Sequence, residues 1–230
     1  MELSKRLNWI IGKLDKVEII MDVGTDHGYI PIYLVKNNIA KKVIASDINK
    51  EPLKKAKINA SLDGVLDKVD LRLGGGLSPL NNKEANAVII AGMGGNLIRD
   101  ILENDLIKVK NLDYLILQPA QNPEVLREYL YNNNYEILEE DICLDENKYY
   151  EIFKIKYKKW DCIILEDIFY EISPTMLNKK LPLLKSYIES KIQKNLKVME
   201  FIIDNTDHAR ERKNELKEKN QRLEKLLKNF

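Results

Sequence analysis

The sequence predicts an α/β fold, a parallel sheet covered by helices on both faces, followed by an antiparallel helical coiled-coil extension. Three observations carry this expectation. Short apolar runs alternate with segments of helical periodicity from "VEIIMDV" to "NPEVLREYLYNNN", the order that builds strands joined by crossover helices. Turns such as "VGTDHG", "GGGL" and "AGMGG" follow the strand-like runs, as expected where a parallel sheet binds ligands at its strands' carboxyl ends. From about Ser173 onward no strand is evident, and apolar residues recur every three or four positions.

Each element follows from local chemistry. "MELSKRLNWIIGKLDK" reads as an amphipathic first helix. "VEIIMDV" is a strand and "YIPIYLVKNN" a helix. "KVIASDI" is a strand, and "KEPLKKAKINASL" a helix with Pro52 in its first turn, where a missing N–H costs little. "KVDLRLG", "ANAVIIAG" and "LDYLILQP" are strands, with the helix "GNLIRDILEN" between the last two. Asn122 is the expected N-cap of the next helix, with Pro123 following it. "YEILEEDICL" and "YYEIFKIKY", separated by the polar "DENK", should pair as an antiparallel hairpin. The pattern changes near Trp160, which divides the chain into residues 1–159 and 160–230. In the second part, Leu177, Leu181, Leu184, Ile188, Ile192, Leu196 and Met199 form one helical stripe. "DNTD" breaks it, and Ala209, Leu216, Leu223, Leu227 and Phe230 form another.

Bulk properties narrow the function. A net charge of +1 means that any nucleic acid must be met by a local basic face. The helix beginning near His208 supplies one: eight Lys and Arg against four Glu between His208 and Lys228, a local excess of +4. Its plainer reading is a solvated face. No apolar run spans a bilayer, and the first residues lack the apolar stretch of a signal peptide, so a cytoplasmic setting is expected. Cys143 and Cys162 show no metal-ligand spacing, so no metal is expected.

The turn "MDVGTDHGYIP" carries the chemistry. A dinucleotide site would use G-x-G-x-x-G, but here Gly24 and Gly28 are separated by three residues and Asp26 takes the middle position. A pyrophosphate would be repelled by Asp22 and Asp26, whereas S-adenosylmethionine carries a sulfonium and an ammonium and no phosphate. Asp47, with Ile48 beside it, ends the second strand, where a carboxylate accepts bonds from ribose hydroxyls. That contact suits a nicotinamide cofactor equally; the acidic turn argues against one.

"MDVGTDHGYIP", "ASDIN", "IIAGMGG" and "LILQP" together resemble the bacterial tRNA (adenine-22, N1)-methyltransferases, over nearly the whole chain. The resemblance implies a Rossmann-like class I methyltransferase sheet, S-adenosylmethionine as cofactor, and methyl transfer to N1 of an adenine in the D-arm region of tRNA. It implies a cofactor site of Asp22, Gly24, Gly28, Asp47, Ile48, Gly75, Gly92, Met93 and Gly94. Family members usually carry Asp or Asn where this chain has Gly75, so other groups must read the adenine edge. Asp26 is the candidate carboxylate near the target base. His27 is expected to orient Asp26 or donate to the base, and Tyr29 to stack on it; their plainer readings are a backbone-bonded histidine and a core aromatic. Gln118 and Pro119 should line the same edge, and the terminal helices should grip tRNA phosphates. Three rivals stand beside this reading: methylation of another RNA site or small molecule, a non-catalytic nucleotide-binding scaffold that dimerises through its helices, and a nicotinamide oxidoreductase. Oligomeric state is open, with a monomer favoured.

Overall fold

The computed structural model describes residues 3–159, 163–203 and 206–228, and the chain falls into two compact units, Met1–Ile164 and Leu165–Phe230. Trp160, Cys162, Phe230 and the first two residues of the "DNTD" break therefore lie outside the described residues.

The first unit runs α1 (Lys5–Ile11), β1 (Val17–Val23), α2 (Tyr29–Lys36), β2 (Ala40–Asp47), α3 (Lys50–Leu62), a 3₁₀ turn (Leu66–Lys68), β3 (Val69–Leu73), β4 (Ala87–Gly94), α4 (Gly95–Asn104), α5 (Leu106–Val109), β5 (Tyr114–Gln121), α6 (Pro123–Asn132), β6 (Tyr135–Asp145) and β7 (Lys148–Tyr157). The sheet has seven strands in the order β3-β2-β1-β4-β5-β7-β6. The first five are parallel, and β7 and β6 add antiparallel to them.

The central strands carry runs of consecutive buried apolar residues, such as residues 88–90 of β4 and 115–117 of β5, because both faces of the sheet are covered. Successive residues of one strand enter different cores. Ile20 packs with Val43, Ile89 and Ile116 on one face, and Met21 with Ile44, Val88 and Leu117 on the other. Strand order reverses between β1 and β4, so the crevice where such sheets hold ligands opens beside the glycine turn after β1.

Three local expectations are corrected. Asn122 precedes α6, but its backbone is left-handed (φ 52°) and its side chain makes no capping bond. "AGMGG" is not a loop: β4 continues through Gly94, with its register to β5 shifted on both sides of Met93. The stripe from Leu177 to Met199 is not one helix. Lys180 adopts a left-handed conformation (φ 47°) that closes a short helix before the long one begins.

The β6–β7 hairpin turns through Glu146 and Asn147, both left-handed (φ 47° and 59°), as a tight two-residue turn requires. Behind it, Arg127 of α6 is fully buried between Glu140 and Glu151. Its Nε donates to Glu140 Oε1 at 2.7 Å, Nη2 donates to Glu151, and the guanidinium lies 4.9 Å from the Phe153 ring centre. Burial opposes the charge, but Glu151 and Glu140 outweigh it and hold the guanidinium above its ordinary pKa.

The second unit comprises α7 (Asp167–Glu171), α8 (Pro174–Lys179), α9 (Leu184–Phe201) and α10 (Asp207–Lys228). Leu184, Ile188 and Ile192 of α9 are buried, as are Ala209, Leu216 and Leu223 of α10, while Leu196 of the expected stripe is exposed. A polar pair sits in this seam: Asn195 Nδ2 donates to Asn220 Oδ1 at 2.8 Å. Glu171 pairs with Lys191 at 3.0 Å and also with Lys219, tying α7 to both long helices. Burial raises the Glu171 pKa, but the two lysines outweigh it and hold it below the usual carboxylate value.

Candidate active site

Because β1 to β5 are parallel, the ends of all five strands reach one edge of the sheet, bringing together Asp22, Gly24, Asp47, Gly75, Met93 and Gln118. Gly24 and Gly28 both have positive φ (76° and 71°). A Cβ on Gly24 would lie 2.6 Å from Met93 Cε, and one on Gly28 would lie 2.9 Å from Ala56 Cβ. The first glycine therefore lets the end of β4 press on the turn, and the second lets α3 pack against the start of α2. The Gly24 and Thr25 amides both donate to the Ser46 carbonyl at 2.8 Å, which ties the turn to β2.

Beneath the turn lies an unsatisfied polar floor. Asp22 is buried, and among the described residues it has no cationic partner. Burial pushes its carboxyl up to about 6; the Thr25 hydroxyl nearby opposes the shift, and the charge of Asp47 adds to it. Thr25 Oγ1 and Ser46 Oγ are themselves buried; neither makes a hydrogen bond of good geometry among the described residues, though the Thr25 hydroxyl lies close enough to Asp22 to favour its charged form. Buried polar groups are normally paired, so three side by side without full satisfaction mark a place prepared for a ligand.

Asp47 does not cap a helix. Its Oδ1 accepts from the Asn49 amide at 2.7 Å, and its Oδ2 has no donor among the described residues. Next to it Ile48 and Leu73 are exposed, forming an apolar shelf at the edge. Gly75 belongs to this shelf: a Cβ there would come within 3.0 Å of Ile48 Cγ2. The shelf leaves little room for a side chain at residue 75 unless Ile48 shifts.

At the mouth of the turn, His27 Nε2 lies 3.2 Å from Asp26 Oδ1, and the His27 ring stacks on Tyr29 with centres 5.3 Å apart. The His27 carbonyl accepts from Asn59 Nδ2 at 2.9 Å. The Asp26 side chain is 76% exposed, and Tyr29 is also exposed rather than a core aromatic. The three are thus neighbours at the mouth of the turn, with Asp26 and Tyr29 exposed and His27 half-buried.

On the other side of the turn, Gly92 (φ 78°) forms the bulge of β4, and Gly94 has open space where a Cβ would be. A Cβ on Gly95 would sit 2.1 Å from the Asn122 carbonyl oxygen, so the start of α4 crosses the β5–α6 turn at backbone contact. Gln118 is fully buried; its Nε2 donates to the Pro119 carbonyl at 2.7 Å and its Oε1 accepts from Arg6 at 2.6 Å.

Arg6, Asp145 and Tyr150 escape a reading of the sequence alone. Since β7 runs antiparallel to β5, with Leu117 opposite Phe153, the start of β7 and the hairpin turn stand at the same edge as the parallel strands' ends. The signal was the hairpin itself, but its place in the strand order is not a local property. Among the described residues, no group of three or more His, Cys, Asp and Glu is arranged to hold a metal, and no helix is long and apolar enough to cross a membrane.

Known proteins share this fold and much of this sequence. The family model for tRNA (adenine(22)-N(1))-methyltransferase aligns with residues 20–225. The Bacillus subtilis tRNA (adenine(22)-N(1))-methyltransferase is 37% identical over 152 residues, which span 66% of this chain and 64% of that enzyme. Among solved structures, Streptococcus pneumoniae Sp1610 in complex with S-adenosyl-L-methionine superposes with a TM-score of 0.85 at 29% identity, covering 98% of this chain and 100% of the other. The M. capricolum protein in complex with S-adenosyl-homocysteine does so with a TM-score of 0.80 at 30% identity, covering 97% and 99%. With a Rossmann-like methyltransferase sheet and a family match across both of its units, the chain belongs to the tRNA (adenine(22)-N(1))-methyltransferase family.

Proposed function

We propose that this protein transfers a methyl group from S-adenosylmethionine to N1 of adenine 22 in tRNA. The observation that carries the reading is the floor of the glycine turn. Asp22, Thr25 and Ser46 are buried and incompletely paired under a turn that excludes side chains at Gly24 and Gly28. That floor fits a small ligand bearing positive charge and hydroxyls, and no pyrophosphate would sit over an unpaired carboxylate.

The cofactor supplies an electrophilic methyl group on a sulfonium. The chain's own residues then have distinct tasks. Asp22 gives the positively charged end of the ligand a buried counter-charge, and the free Oδ2 of Asp47 takes a ribose hydroxyl. Ile48, Leu73 and Gly75 offer an apolar face to a flat base, with the Gly75 backbone in place of a side-chain acceptor. Met93, pressed on Gly24, and the open backbone of Gly92 and Gly94 shape the wall between cofactor and target base.

N1 of neutral adenine has an in-plane lone pair and no proton, so no general base is needed. The new C–N bond forms as the C–S bond breaks, and positive charge passes to the base. Asp26, exposed at the mouth and held by His27, is placed to stabilise that charge, and the stacked His27–Tyr29 pair is a surface on which an extruded base can lie. In the second unit, Lys213, Lys217, Lys225 and Lys228 of α10 form no ion pair among the described residues, while Arg210, Arg212, Lys219 and Arg222 are engaged. The unengaged lysines are the ones offered to tRNA phosphates.

The test is incubation with unmodified tRNA and methyl-labelled cofactor, followed by mapping of the labelled nucleotide. Label at N1 of adenine 22 is the expected result; label elsewhere, or in protein instead of RNA, refutes it. In the same assay Asp26→Asn should slow single-turnover methylation by about 10²-fold with little change in tRNA binding, the scale of one lost electrostatic contact to the transition state. An unaltered rate removes Asp26 from the chemistry.

A further inference from the structure

The chain has seven arginines, and six of them form an ion pair with a carboxylate. Arg6 does not. Its side chain is half-buried, and its contacts are accounted for: Nη1 donates to Gln118 Oε1 at 2.6 Å, and the guanidinium carbon lies 5.4 Å from the Tyr150 ring centre. Asp145 is close, but its Oδ2 is used by the Arg6 backbone N–H at 3.0 Å. Lys148 Nζ lies 5.0 Å from the same Tyr150 ring centre and likewise forms no ion pair among the described residues. Two cations therefore share one aromatic ring, and neither forms an ion pair with a carboxylate among the described residues.

Their position gives the arrangement a use. Arg6 Nη1 would lie 3.6 Å from a Cβ on Gly92, the bulge residue next to Met93. The cluster thus flanks the wall between cofactor and target base, on the β5–β7 side, away from the Asp47–Ile48 shelf beside β2. Gln118 and Tyr150 hold the guanidinium plane, and the Nε and Nη2 donors have no partner among the described residues. A planar, pre-oriented guanidinium with free donors is built for an anion with two oxygens to offer. The target base cannot be that partner, because it gains positive charge during the reaction.

We infer that Arg6, supported by Tyr150, Gln118 and Lys148, is a binding site for the RNA phosphodiester next to the target adenosine. The inference rests on the proposed tRNA methylation. Arg6 is a positioning residue: clamping the backbone beside the extruded nucleotide fixes where its base enters, and the phosphate charge offsets the guanidinium near a base that becomes cationic. The N-terminal helix is then part of the substrate site.

The experiment uses the full-length protein and measures tRNA affinity against salt concentration, S-adenosylmethionine affinity by calorimetry, and single-turnover methylation. Arg6→Ala should weaken tRNA binding about tenfold and lower the slope of log affinity against log salt by about 1, the signature of one lost phosphate contact, with cofactor affinity unchanged. Lys148→Ala, at an exposed position, should lower the slope with a smaller loss of affinity. Arg6→Lys should keep the slope but slow methylation, since an ammonium cannot reproduce the planar clamp. Unchanged slopes in both alanine variants would overturn the inference, as would loss of cofactor affinity in Arg6→Ala with normal tRNA binding, which would assign the guanidinium to the cofactor. Reduced slopes in a protein whose wild type leaves adenine 22 unmethylated would uphold the phosphate site and refute the proposed function instead.

Discussion

Two buried charged groups in the same unit are treated in opposite ways. Behind the hairpin, Arg127 has a carboxylate on either side and an aromatic ring against it. Under the glycine turn, Asp22 has no cation among the described residues, only the nearby Thr25 hydroxyl, and the Ser46 hydroxyl has no partner among them. The first cluster is complete, so nothing remains for a ligand to satisfy, and its contribution is to hold α6 and the hairpin together. The second is incomplete, so folding leaves part of its interaction energy to be realised on binding. Satisfied buried charge marks architecture, and unsatisfied buried charge marks function.

Removing a partner from the complete cluster should cost most. Arg127→Met leaves Glu140 and Glu151 buried without a cation, and urea denaturation should show a loss of about 3–5 kcal/mol. A loss below about 1 kcal/mol would mean that the cluster is not a structural unit.

Asp22→Asn should do the reverse. The folded protein raises this carboxyl from 3.8 to about 6, so the ionised form is disfavoured by folding. The cost is absent below the unfolded value, grows as pH rises from 3.8 to about 6, and is complete above that. At neutral pH the variant should therefore be more stable than the wild type by about 3 kcal/mol, with the gap closing on acidification. The same variant should bind S-adenosylmethionine at least tenfold more weakly, and the wild-type affinity should fall as pH drops through about 6. Equal stability at all pH values, or undiminished binding, would dissolve the contrast between the two sites.

The smallest expected effect sharpens the comparison. Ser46→Ala removes a buried hydroxyl with no partner among the described residues, so stability should rise by up to about 1 kcal/mol. Destabilisation on denaturant melting would show that the hydroxyl is already satisfied in solution.

The parallel part of the fold was legible because it is written locally. Burial of both sheet faces puts consecutive apolar residues into the middles of β1, β2 and β4, and the glycine after β1 is demanded by the contact of Met93 on Gly24. The site's β1–β2 side was readable for the same reason. Its other side was not: Arg6 and Gln118 are 112 residues apart and meet only because β7 joins the sheet beside β5. Backbone handedness was equally hidden. An asparagine before a proline suggests a cap, yet Asn122 is left-handed, with its carbonyl against Gly95. The interruption between α8 and α9 was hidden too, because Lys180 makes it through a conformation its side chain does not announce.

The contact between Met93 and Gly24 has an experimental consequence. The chain contains five methionines, and the Met93 terminal methyl rests on the glycine that opens the ligand turn. With isotope-labelled methionine, that resonance becomes a built-in spectroscopic reporter, which should shift when the turn is filled and stay still when RNA docks elsewhere on the protein.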